Sequence, residues 1–159
     1  MTLEHTSGSA YGALLLRVSL GTMYLTHGVV LKWMTFGLDG TAAFFESIGL
    51  PGPLAHATIF AELLGGAMLI LGIQSRWVAL ALSPILLGAL WVHAGNGWVF
   101  SAPGGGWEYP LYLLVLSIVQ ALVGDGAHAL SPSRPLGLDV RLVPRFPTGA
   151  LSRAPGRAA

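Results

Sequence analysis

The sequence predicts an all-α fold: an integral-membrane four-helix bundle with a polar interior and a short extracytoplasmic loop helix. Three observations predict it. Charged residues make up 9% of the chain and hydrophobic ones 53%, with a mean hydropathy of +0.68, whereas a soluble domain carries about 25% charge. Four apolar segments meet or approach the roughly 20 helical residues that cross a hydrocarbon core about 30 Å thick. The charge that remains is segregated, because five arginines (Arg134, Arg141, Arg145, Arg153 and Arg157) all follow the last apolar run.

The first span is residues 11–31, YGALLLRVSLGTMYLTHGVVL. No Lys or Arg precedes it and no small-residue cleavage site follows it, so it reads as a retained helix rather than a signal peptide. The second is 54–73, LAHATIFAELLGGAMLILGI, and the third 77–95, WVALALSPILLGALWVHAG, with a kink expected at Pro84. The fourth, 107–124, WEYPLYLLVLSIVQALVG, is the shortest. Between the first two spans, Thr41 to Ile48 reads as a short helix stopped by Gly49 and Pro51. These elements define a four-span domain, 1–130. The remainder, 131–159, is a Pro/Arg-rich tail expected to be disordered and cytoplasmic.

Four spans place both termini and the 74–76 loop on one side, together with Arg76 and the tail arginines, while the other side holds Lys32. The positive-inside rule therefore puts the termini in the cytoplasm. The net charge of +1 carries no signal for nucleic acid, and the absence of cysteine excludes thiol chemistry within the chain. Aromatic residues gather on the outer side, among them Trp33, Phe44, Trp98, Trp107 and Tyr109. They form either an interfacial belt or a lid over a site.

Helix rise converts position into depth. His27 and His93 lie about 24 Å from the cytoplasmic ends of spans one and three, and Glu62 about 12 Å below the outer end of span two. All three are thus expected in one slab, bordered above by Lys32 and Glu108, with Arg17 in the cytoplasmic half. At about 100° per residue, Arg17, Gly21, Tyr24 and Gly28 share a face, as do Glu62, Gly66 and Leu69. Tyr109, Tyr112, Leu116 and Gln120 form a stripe on span four. Each polar residue also has a purely structural reading: Arg17 can snorkel, the histidines can be hydrogen-bonded bundle residues, and Lys32 and Glu108 can mark helix ends. Glu62 is the exception, since at its depth a carboxylate must be protonated, paired with His27, His93, Lys32 or Arg17, or bound to something. No Glu-x-x-His pair or similar ligand spacing occurs, so no metal is expected.

The stretches LLLRVSLGTMYLTHG (14–28), GTAAFFESIGLPGP (40–53), AELLGGAMLILGIQSRW (61–77), HAGNGWVF (93–100), GGGWEYPL (104–111) and LVGDGAHAL (122–130) resemble the DoxX family of small four-helix bacterial membrane proteins. The resemblance implies a multi-pass protein of the bacterial inner membrane and points toward redox work, since relatives include a subunit of a thiosulfate:quinone oxidoreductase. It also marks Arg17, His27, Glu62 and His93 as characteristic polar positions, without assigning them catalysis. Many members read His-Gly-x-x-Lys, whereas this chain has His27-Gly28-Val-Val-Leu-Lys32. On an α-helix the extra residue turns Lys32 by about 100°.

The leading expectation is a subunit of a membrane redox system that binds a quinone or another lipid-soluble carrier, with no covalent cofactor. The candidate cluster is His27, Glu62, His93 and Arg17, with Lys32, Trp98, Trp107, Glu108 and Tyr109 as lid or rim. Expected partners are the lipid bilayer, a redox protein and further copies of the chain. The alternatives are a non-catalytic assembly protein and a small proton-linked transporter.

Overall fold

The computed structural model describes residues 3–136, with side chains from residue 8 onward. Five α-helices follow one another: α1 (Leu3–Thr26), α2 (Leu38–Ser47), α3 (Gly52–Leu71), α4 (Ser75–His93) and α5 (Glu108–Val123). A π-helical segment, His27–Thr35, continues α1 without a break, and a single 3-10 turn, Ala94–Asn96, follows α4. The chain ascends, descends, ascends and descends. We call the end where α1 starts and α5 finishes the base, and the opposite end, with α2 and the 97–107 loop, the loop end.

Gly8–Thr35, Gly52–Leu71 and Ser75–Asn96 are long and apolar enough to cross a membrane. The expected fourth span is α5, which at 16 residues reaches only about 24 Å. The expected loop helix is α2, packed against α3 and the π segment. α4 continues unbroken past Pro84, which lies inside it, on the exposed side.

Helices pack in two strongly joined pairs, α1 with α3 and α4 with α5, linked through α3–α4 and α1–α5 contacts. The α1–α3 seam depends on two glycines. A Cβ on Gly21 would sit 2.6 Å from the Gly66 carbonyl oxygen, and one on Gly66 would sit 2.8 Å from that of Gly21. Bare backbones therefore meet at this crossing, the usual device for close helix approach in lipid. The buried faces on α1 (Arg17, Gly21, Tyr24, continuing to Gly28) and on α3 (Glu62, Gly65, Gly66, Leu69) are those expected from the helical period.

Span four differs from expectation. The buried face of α5 is Pro110, Leu113, Ser117, Gln120 and Ala121, so of the expected stripe Gln120 is buried and Leu116 packs partly against the core, while the two tyrosines are exposed. Tyr112 is 61% exposed and faces outward with Val115 and Val119. The tyrosines lie one position off the inward row, and aromatic rings on the lipid side cost nothing there.

At the base, α3 ends at Gly72, which takes φ 70 and whose Cβ would lie 2.6 Å from Ala129. Only glycine suits both the left-handed backbone and the close approach. Residues after α5 dock on this turn. Leu130 donates to the Leu71 carbonyl at 3.1 Å, Ser131 to Gly72 at 3.0 Å, and Gln74 returns a bond to Ser131 at 2.8 Å. The tail expected to be disordered from residue 131 is therefore ordered at its root, because the open carbonyls ending α3 take its N–H groups as donors. Residues 137–159, with Arg141, Arg145, Arg153 and Arg157, lie outside the described residues.

Candidate functional site

The π segment sets the site. Its backbone bonds run i to i+5, as in Phe36 N–H to the Leu31 carbonyl at 3.0 Å, so residues five apart stack where an α-helix stacks those four apart. His27 and Lys32 are five apart. The extra residue is thus absorbed by wider winding, and Lys32 returns to the face of His27 instead of being turned away from it. The Thr41 hydroxyl donates to the Lys32 carbonyl at 2.9 Å, tying α2 to the segment.

From this position Lys32 Nζ donates to Glu62 Oε1 at 2.5 Å, with side-chain exposures of 18% and 4%. Gly28 makes the approach possible: a Cβ there would lie 3.4 Å from Glu62 Cβ and 3.3 Å from the Leu63 side chain. Glu62 Oε2 is buried and has no hydrogen-bond partner. A carboxylate in this state has one oxygen neutralised by an ammonium and one free to accept a proton or a donated bond. His27 is within electrostatic reach of it. The His27 Nδ1–H donates to the Met23 carbonyl at 2.9 Å, which leaves Nε2 as the ring's acceptor. The ring stacks on Tyr109 with centroids 6.2 Å apart.

His93 lies elsewhere. It is the last residue of α4, and its Nδ1–H points at the carbonyls of Gly104 and Gly105, at 3.0 and 3.1 Å. The depth count placed it level with Glu62, but α3 begins at Gly52, which sets Glu62 at mid-helix while His93 stands at the loop end. Its work is to hold the 97–107 loop. Asn96 helps by donating to Gly104 at 2.9 Å, and Glu108 accepts the Phe100 N–H at 2.8 Å. Trp98 and Trp107 meet edge to face at 4.4 Å. Beside this loop an apolar groove of about 390 Å³ runs along Trp98, Phe100, Glu108, Tyr109, Tyr112 and Val115.

Arg17 is the furthest from the cluster expected of it. It is 1% exposed and about 15 Å below His27 along the helix. Its guanidinium donates to the carbonyls of Leu69 (3.0 Å), Ile70 (2.5 Å), Asp125 (2.8 Å) and Ala127 (2.8 Å). It closes the open end of α3 and ties it to the segment after α5. A planar, five-donor group suits this role, and the buried carbonyls remove any need to snorkel. Arg76 does the same for α5, donating to Ala121 and Leu122 at 2.6 and 2.8 Å.

Sequence reasoning missed Asp125. It accepts from Ser75 N–H at 2.7 Å, Ser133 N–H at 2.8 Å and the Ser133 hydroxyl at 3.1 Å. Burial acts to raise its pKa, but the bonds from Ser133 and Ser75 outweigh it and hold the carboxyl below its ordinary range. The signal available was GDGAH, a lone acid between two glycines just past the last apolar run. Among the described residues no three His, Asp or Glu side chains converge as metal ligands.

The sequence profile of the DoxX family matches residues 12–95, more than half of the chain. A relative from Bacillus subtilis (strain 168) bearing the name "Putative oxidoreductase CatD" is 37% identical over 122 residues, covering 76% of this chain and 85% of that protein. No solved structure is significantly similar. On these two matches, and in keeping with its membrane-length apolar helices, the chain belongs to the DoxX family.

Proposed function

We propose that the protein is a subunit of a redox system in the bacterial inner membrane, with its base toward the cytoplasm, and that it binds a quinone or another lipid-soluble carrier beside Glu62. One observation carries this reading: Glu62 Oε2 is buried and unpartnered while Oε1 pairs with the Lys32 ammonium. A quinone carbonyl is an acceptor that becomes a hydroxyl on reduction, so it needs a neighbour that can hand over and take back a proton. Lys32 would donate to the headgroup, Glu62 would exchange the proton, and His27 Nε2 would be the second exchange point. Tyr109, Trp98, Trp107 and Glu108 would form the rim that limits water. His93 would act through the loop it holds, and Arg17 by keeping α1 and α3 in register. The name carried by the Bacillus subtilis relative supports redox work, and electrons would come from a partner protein.

The test is mass spectrometry of quinones and lipids that co-purify in mild detergent with the wild type and with Glu62→Gln. The expected result is a quinone held by the wild type and lost in the variant. Equal lipid content with no quinone in either would overturn the reading and leave a scaffold whose polar interior holds the bundle together.

A further inference from the structure

Below Glu62 the interior carries a row of polar groups. Tyr24 on α1 and Ser117 on α5 are 1% and 0% exposed and meet hydroxyl to hydroxyl at 3.5 Å. One turn nearer the base is Gln120, also fully buried, whose amide donates to the Gly124 carbonyl at 2.6 Å. Next along the chain is Asp125, with its carboxylate among Ser75 and Ser133 at the base.

Three buried side-chain atoms among the described residues have no hydrogen-bond partner: Glu62 Oε2, Gln120 Oε1 and Ser75 Oγ. They fall at the top, in the lower part and at the foot of this row. Isolated orphans are rare because each is costly. Three within one bundle interior are explained together if water enters between them, since one water can bond an orphan and its neighbour at once. Toward the loop end Glu62 meets Lys32, whose side chain is 18% exposed, so a proton that reaches Glu62 has an outlet on that side.

We propose that Tyr24, Ser117 and Gln120, with intervening water, conduct protons between Asp125 at the base and Glu62 in the middle of the bundle. A proton entering at the base beside Asp125 is handed up the row. Each hydroxyl gives up its own proton as it accepts another, so neither Tyr24 nor Ser117 keeps a charge. Gln120 does not ionise; it holds water in line. Glu62 receives one proton and releases one to whatever it serves. The proposal rests on the reading of Glu62 as a proton-exchanging group, and it assigns the side from which its protons come.

The experiment uses the full chain in proteoliposomes with a trapped pH dye, driven by a potassium diffusion potential. Wild type should pass protons faster than protein-free vesicles. Tyr24→Phe and Ser117→Ala should each cut the protein-dependent flux at least tenfold, whereas Ser117→Thr, which keeps the hydroxyl, should retain it. Melting curves confirm that each variant is folded, and the serine pair decides the matter if Tyr24→Phe is not. No wild-type flux, or flux untouched by Tyr24→Phe and Ser117→Ala but lost in Lys32→Met, overturns the proposal, the second result assigning the route to the loop end. Quinone content is measured on the same preparations. Flux without quinone keeps the path and removes the redox reading, and quinone without flux does the reverse.

Discussion

Lys32 reaches Glu62 because the helix that carries it is wound to the i to i+5 pattern from His27 to Thr35. The pair is a property of the winding as much as of the two residues. Deleting one residue from Val29–Leu31 restores the four-residue spacing and should let the segment revert to an α-helix with Lys32 still on the His27 face. The expected outcome is a folded protein with thermal stability near wild type. A two-residue deletion turns Lys32 away and should melt well below it.

Breaking the pair from one side leaves a buried charge without its partner. Lys32→Met should cost about 3 kcal/mol, in the range seen when one member of a buried pair is removed. Adding Glu62→Gln should recover most of that loss. Thermal unfolding of both single variants and the double variant in detergent measures the coupling, and simple additivity would show that the two groups do not depend on one another.

Arg17 satisfies four carbonyls at the base. Arg17→Met should destabilise the protein by about 3 kcal/mol or more, since several buried acceptors lose a charged donor together. Arg17→Lys should recover little, because an ammonium cannot fan out to four acceptors in a plane. Full stability in Arg17→Lys would mean that charge alone matters there.

The Asp125 carboxyl is held below its ordinary value of 3.8 in the folded protein. A group of this sign contributes stability above its unfolded pKa and loses it as pH falls through the folded one. Wild type should therefore lose melting temperature as pH drops below about 4, and Asp125→Asn should be less stable at neutral pH and flatter across that acidic window. A variant with the same acid slope as wild type would remove Asp125 from the account.

Gly21 and Gly88 are a matched pair of tests on helix contact. A Cβ at Gly21 meets backbone at 2.6 Å, whereas one at Gly88 meets nothing within 4 Å. Gly21→Ala should force α1 and α3 apart at a cost of about 2 kcal/mol, and Gly88→Ala should cost nothing. Equal melting temperatures for the two would mean that the seam is softer than its geometry.

The helices, their order and the inward faces of α1 and α3 were legible in the sequence because apolar composition sets spans and a 3.6-residue period sets faces. That Glu62 needs a partner was legible for a similar reason: a carboxylate at that depth has few options. Lys32 was one of four candidate partners, with His27, His93 and Arg17, and the choice among them was not legible. Counting at a constant 100° per residue turns Lys32 away, and no local signal in His27-Gly28-Val-Val-Leu-Lys32 announces a change of winding. Arg17 and His93 were correctly seen as polar positions, but depth alone could not tell that backbone carbonyls at the base and in the 97–107 loop would claim them. Asp125 was passed over because its partners, Ser75 and Ser133, are far from it in sequence or sit in a segment expected to be unstructured.

The shortness of α5 has a consequence for the bilayer itself. The first span is 28 residues long and α5 only 16, so the protein presents one tall flank and one low flank to the surrounding lipid. Acyl chains beside α5 must shorten or tilt to match it, at a fraction of a kcal/mol per ångström of mismatch. A second short helix lying alongside would relieve that strain, so hydrophobic mismatch alone favours a short neighbour on the α5 flank over a tall one.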